Sequence, residues 1–119
     1  MAEPGSDLVR TAMQGADAWC ICRIGFVETV RAVGRAAGHS ATRAVSEEWP
    51  SFGVVEVDQE LVERAARLAL DDELRSLDAL HLAAALLLPS EGMLLATWDR
   101  CLHAATQSHR LSVLPASLP

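Results

Sequence analysis

Leu77-Asp78-Ala79-Leu80-His81-Leu82-Ala83-Ala84-Ala85-Leu86-Leu87-Leu88 holds only two polar residues, Asp78 and His81. Apolar on nearly every side, it predicts a helix buried in the core rather than one laid on a surface. On its C-terminal side, Met93–Ala96 reads as a strand, Asp99–Ser108 as a helix and Leu111–Leu114 as a last strand. On its N-terminal side, Asp58 is placed to cap a helix reaching about Leu70, with Leu61, Ala65 and Leu68 in one stripe. Val54–Val57 before it has β-strand composition.

Further upstream, His39–Glu48 predicts a helix stopped by Trp49-Pro50. Ile24–Ala37 predicts another, with Phe26, Val27, Val30 and Val33 at helical spacing and Gly38 as its stop. Ala18–Cys22 is a short apolar run suited to a strand. Glu3-Pro4-Gly5-Ser6 reads as a turn, after which Ser6 or Asp7 can cap a helix to about Gly15 whose apolar face carries Leu8, Ala12, Val9 and Met13. Strands alternating with helices predict a parallel sheet covered on both faces, a three-layer α/β/α arrangement. No internal repeat, low-complexity tract or linker divides residues 1–119, so one domain is expected.

Half of the 119 residues are hydrophobic and 22% are charged, the balance of a globular chain rather than a disordered one. A net charge of −6 gives no general attraction to nucleic acid, which argues against a passive nucleic-acid binder. It argues less against a nuclease, because metal ions can offset charge locally. The longest apolar run, Leu82–Leu88, is far too short to span a membrane, and the polar N-terminus shows no signal peptide. Cys20, Cys22 and Cys101 make an odd count that suits a reducing cytoplasm. On a strand, Cys20 and Cys22 would stand about 7 Å apart on one face, too far along the chain for a good disulfide. Zinc held by these cysteines and His103 lacks a closed four-ligand spacing, so ordinary buried cysteines are expected.

Three acids call for explanation. Asp78 opens the buried helix, and Asp99 follows the strand Met93–Ala96 through Thr97-Trp98. Each can be a plain helix cap. Glu28 lies early in a helix among Ile24, Val27 and Ala32, where a solvated surface role competes with an inward one. Taken together, they are acids at the leading ends of three helices, two directly after predicted strands. Ligands of open parallel sheets bind beyond the carboxyl ends of the strands. Carboxylates gathered there raise one another's pKa unless a cation offsets them. Hard oxygen donors select Mg²⁺ or Mn²⁺ over zinc, and such an ion suits phosphodiester hydrolysis.

At these residues the sequence resembles the PIN domains, and in particular the VapC-like toxins of toxin–antitoxin pairs. The matching stretches are Cys22-Arg23-Ile24-Gly25-Phe26-Val27-Glu28-Thr29-Val30-Arg31-Ala32, Leu74-Arg75-Ser76-Leu77-Asp78-Ala79-Leu80-His81-Leu82-Ala83 and Leu95-Ala96-Thr97-Trp98-Asp99-Arg100. Leu77-Asp78-Ala79-Leu80-His81-Leu82-Ala83 is the most specific of them. The resemblance implies a Mg²⁺-dependent endoribonuclease with a parallel sheet, often dimeric, acting on RNA and silenced by a cognate antitoxin. It makes Asp78 a direct metal ligand. Asp99 would complete the site or hold water there, and Glu28 would orient that water or transfer a proton. Thr97 would hydrogen-bond near the metal, and His81 is expected to pack as a satisfied core imidazole.

Members of this family begin with an apolar strand ending in Asp, commonly Asp-x-Ser, ahead of a loop like Glu3-Pro4-Gly5-Ser6. The expectation is therefore a chain without the first strand and first acid, for which Asp7 cannot substitute. Either a start upstream of Met1 restores them, or the chain is a weakened or inactive relative that still occupies an antitoxin. An unrelated α/β regulatory fold is the third alternative. The RNA target, the antitoxin and the oligomeric state are not written in the sequence, whose few aromatics (Phe26, Phe52, Trp19, Trp49, Trp98) offer no evident base-stacking platform.

Overall fold

A computed structural model describes residues 6–16, 20–48, 52–89, 91 and 93–118, apart from the side chains of Ser6, Asp7, Val9 and Arg10. Along the chain run α1 (Ser6–Gly15), β1 (Cys20–Cys22), α2 (Ile24–Ala37), α3 (His39–Glu48) and β2 (Gly53–Val55). They are followed by α4 (Gln59–Asp71), α5 (Ser76–Leu86), β3 (Leu94–Ala96), α6 (Arg100–Ser108) and β4 (Ser112–Leu114). The expected turn at Glu3–Gly5, the first residues of the Ala18–Cys22 strand, the Trp49-Pro50 stop and the place of Val9 on its helix lie outside the described residues.

The elements form where local chemistry favours them. Asp58 caps α4 by accepting a hydrogen bond from the Leu61 N–H at 2.9 Å, and its stripe buries Leu61 and Ala65. α4 packs on α5, which buries Ala79, Leu82, Ala83, Ala84 and Ala85. Leu61, Ala79, Leu82 and Ala83 are fully inaccessible, so the core lies where these two helices meet. The alanines let the backbones approach closely, while Leu61 and Leu82 fill the seam. α6 closes this side with Leu102 and Ala105, and its buried Thr106 hydroxyl is satisfied by donating to the Leu102 carbonyl at 2.7 Å. His109, just beyond α6, meets the Asp72 carboxylate at 2.9 Å and ties the α4–α5 turn to the end of α6.

The parallel strands predicted from the sequence form, but in two pairs. β1 pairs with β2 and β3 with β4, both in parallel, and among the described residues no ladder joins the pairs. The strand expected over Val54–Val57 is found at Gly53–Val55, because its partner β1 ends at Cys22 and the chain turns into α2 at Ile24. The ladder closes where the Arg23 N–H donates to the Val55 carbonyl at 2.8 Å, and the exposed Glu56 side chain turns to the Arg23 guanidinium. That ion pair raises the Arg23 pKa and lowers that of Glu56 through their hydrogen bond. In α2, Val27 is exposed although it sits within the expected apolar stripe, while Phe26, Val30 and Val33 are half-buried. The cysteines also differ from expectation: only Cys22 is buried, and Cys20 and Cys101 are exposed, all as free thiols. His103 is engaged elsewhere, its Nε2 donating to the Pro115 carbonyl at 2.7 Å.

Candidate active site

Asp78 stands in the first turn of α5, two residues after its first helical residue. It is not the cap: Arg75 holds that position without a side-chain cap hydrogen bond. The simple capping explanation of Asp78 therefore fails, and a half-buried carboxylate is left for another purpose. A negative charge here is favoured by the N-terminal end of the helix dipole. Its surroundings outweigh that help. Burial raises the Asp78 pKa most, the Asp99 charge raises it further, His81 and Arg75 pull it back, and Glu28 adds a smaller upward push. Asp99 and Glu28 thus both lie near enough to act on Asp78. Of the other two acids singled out in the sequence, Asp99 acts on Asp78 more strongly than Glu28 does.

Each of the other two is already held. Asp99 is a true N-cap, its Oδ1 accepting from the Leu102 N–H at 2.9 Å, which leaves Oδ2 for other work. The Asp99 N–H donates to Thr97 Oγ1 at 3.1 Å, and the Thr97 N–H donates to the Leu114 carbonyl at 3.0 Å. Thr97 therefore shapes the turn that presents Asp99 from the end of β3. Glu28, with 43% of its side chain accessible, has Oε1 2.5 Å from His81 Nε2. His81 is the residue that sequence reasoning misassigned. It follows Asp78 by three positions on the same face of α5 and bonds an acid of the site rather than sitting satisfied in the core. Its i,i+3 spacing from Asp78 was the available signal.

A groove of about 840 Å³ adjoins these residues. Asp78, His81, Ala84 and Ala85 of α5, all of β1, all of β3, Thr97 and the C-terminal half of α1 line it. Glu28 and Asp99 stand outside its described lining. Because Asp99 follows β3 and Glu28 lies in the helix after β1, the carboxyl ends of both strands face the same region as Asp78. This is where a parallel sheet presents a ligand site.

Residues 2–107 match the family model of the PIN domain. The chain belongs to the PIN-domain family. Two curated PIN relatives illustrate the likeness, Ribonuclease VapC45 and Ribonuclease VapC49, from the Mycobacterium tuberculosis strains CDC 1551 and H37Rv respectively. Each is 33% identical to this chain over 125 aligned residues, which take in 98% of the chain and 87% of the relative. The PIN assignment accounts for the mixture of helices and parallel strands and rules out the unrelated α/β regulatory fold.

Carboxylate oxygens such as those of Asp78 and Asp99 are hard donors that suit a hard divalent cation, which is commonly held by one or two carboxylates with several waters completing the shell. Among the described residues, no group of three or more His, Cys, Asp or Glu side chains stands at metal-holding spacing.

Proposed function

We propose that the chain is a Mg²⁺-dependent endoribonuclease, the toxin of a type II toxin–antitoxin module, hydrolysing RNA phosphodiester bonds. The observation that carries this reading is the half-buried Asp78 carboxylate, raised in pKa by burial and by Asp99 and Glu28. His81 and Arg75 offset part of this effect, and a cation would offset the rest. Asp78 and the remaining Asp99 oxygen would hold Mg²⁺ or Mn²⁺, with Glu28 beside them. When bound, the ion would activate water and offset the charge developing on a phosphodiester oxygen. Glu28 would orient a water or accept its proton, and the Thr97 turn would hold Asp99 steady. The names of the two ribonuclease relatives support the substrate class. Mg²⁺-dependent cleavage of RNA that is lost in Asp78→Ala and Asp99→Asn tests the reading, and activity surviving both changes defeats it.

A second reading has its own support. Among the described residues, β1 pairs only with β2 and β3 only with β4, while all six residues of β1 and β3 line one largely apolar groove. Backbone groups at strand edges are a template for a further strand. Residues 1–119 are then one PIN-like domain whose groove takes up a strand of a partner. On this reading the protein is an inactive PIN-like remnant that binds an antitoxin or another protein through the groove. Failure to cut RNA with any divalent metal, together with antitoxin binding that slows amide exchange in β1 and β3, favours this second reading. No described helix is long and apolar enough to cross a membrane. A cytoplasmic place and a homodimer complete the proposal; size-exclusion chromatography with light scattering tests the dimer.

A further inference from the structure

Asp78 sits in a line of charged groups that extends well past it. Along α5, Arg75, Asp78 and His81 follow one another at three-residue steps, and the Arg75 charge pulls the Asp78 pKa down. His81 crosses to α2 through its 2.5 Å contact with Glu28 Oε1. From Glu28 the line continues along α2, where Arg31 and Arg35 follow at i+3 and i+7 on the same face, both exposed. Acids therefore occupy the middle of the line and cations its two ends.

The cations on α2 lack a structural duty that explains them both. Among the described residues neither Arg31 nor Arg35 has an ion-pair partner, and like charges one turn apart weaken a helix. Arg35 offsets the dipole in the last turn of α2, a role that Arg31 is too far back to share. Residues 29–46 carry Arg31, Arg35 and Arg43 without an Asp or Glu, in a chain of net charge −6. A protein that repels a polyanion overall can hold one only where its cations are segregated. Arg31 and Arg35 stand about 6 Å apart along the helix, far enough to meet successive phosphates rather than the same one. Their single file fits one backbone better than the two of a duplex.

We propose that Arg31 and Arg35 on one side and Arg75 on the other hold the phosphates that flank the scissile bond of a single RNA strand laid across Asp78. This path rests on the ribonuclease reading and deepens it by assigning the surface that receives the substrate. The strand runs from the N-terminal end of α5 onto the exposed face of α2, so the acids meet one phosphodiester while the arginines neutralise its neighbours.

Fluorescence anisotropy of the full chain with a labelled single-stranded oligoribonucleotide, in EDTA and across a salt series, tests the path. Arg31→Ala, Arg35→Ala and Arg75→Ala should each weaken binding several-fold and flatten the slope of log affinity against log salt by about 0.7. Arg31→Lys and Arg35→Lys should keep most of the affinity, since an ammonium still meets a phosphate as a point charge. Arg67→Ala removes the same charge from an exposed position on α4, between Glu63 and Asp71, and should change neither quantity. In cleavage assays with Mg²⁺, Arg35→Ala should raise KM and leave kcat nearly unchanged. Losses no larger in Arg31→Ala and Arg35→Ala than in Arg67→Ala overturn the path, leave the ribonuclease reading standing and hand this face to an acidic protein partner. A chain that cuts RNA without measurable binding in EDTA is judged on KM, which the same three alanine substitutions should raise and Arg67→Ala should not. A wild type that neither binds nor cuts RNA overturns the ribonuclease reading and this path together.

Discussion

α5 has two sides that solve different problems. Toward α4 and α6 it presents Ala79, Leu82 and Ala83, which are fully buried against Leu61, Ala65 and Leu102. Toward the groove it presents Asp78 and His81, beside strand edges that have no further strand among the described residues. The first side is close-packed and apolar, so its contribution is stability. The second keeps polar groups half-buried, and burial raises the pKa of Asp78. That difference teaches where this small domain keeps its stability and where it gives some up. Strain of this kind collects at functional sites because the same repulsion that destabilises the free protein is relieved when a cation arrives.

Substitutions can break or sharpen the contrast. Leu82→Ala, on the packed side, should cost about 3 kcal/mol through lost burial and the cavity left behind. Ala84 and Ala85 line the groove as well as touching the core, so a cleaner comparison is Leu94→Ala, at an exposed strand residue of the groove, which should cost under about 1 kcal/mol. Urea unfolding of both measures the gap, and equal losses would erase the distinction between the two sides. Next in size is catalysis. Asp78→Ala should lower Mg²⁺-dependent RNA cleavage by at least about 100-fold, near 2.7 kcal/mol, while leaving the fold intact by circular dichroism.

Asp99 belongs to both sides at once, as a helix cap and as a site acid. Asp99→Ala should cost about 1 kcal/mol of stability, whereas Asp99→Asn keeps the cap and should cost little. Both should lose cleavage. Thermal melts beside activity assays separate the two duties, and equal melting temperatures would remove the capping role. The smallest effect concerns pH. A carboxyl whose pKa is raised by folding holds its proton more tightly in the native state. Its stabilising share is therefore complete below the unfolded pKa and is lost as pH rises through the raised native pKa. Asp78→Asn should accordingly raise stability at neutral pH, with the advantage disappearing in acid. Melting curves across pH check this, and a variant less stable than wild type at neutral pH would contradict the sign. Added Mg²⁺ should narrow the same difference by binding only the wild type.

Much of the fold could be read directly. The apolar run around Asp78 gave a buried helix, Asp58 gave a cap that the structure keeps, and the alternation of segments gave parallel strands. The strand ends were less legible: β2 stops at Val55 because its partner turns into α2 after Cys22, a fact that Val54–Val57 does not itself carry. Asp78 and Asp99 looked alike as candidate caps, yet only Asp99 accepts a capping hydrogen bond. Telling them apart needs the residue at which each helix begins.

By itself the sequence determined what repeats locally: apolar period, cap chemistry, and acids at the leading ends of helices. Tertiary structure alone decided what depends on segments meeting across long loops. Among the described residues it set the parallel strands in two pairs, let the charges of Asp99 and Glu28 act on Asp78, and paired His81 with Glu28. The physical reason is that helix period and cap chemistry act over three or four bonded neighbours. The Glu28–His81 contact instead joins residues 53 positions apart, which only the packing of distant segments can bring together.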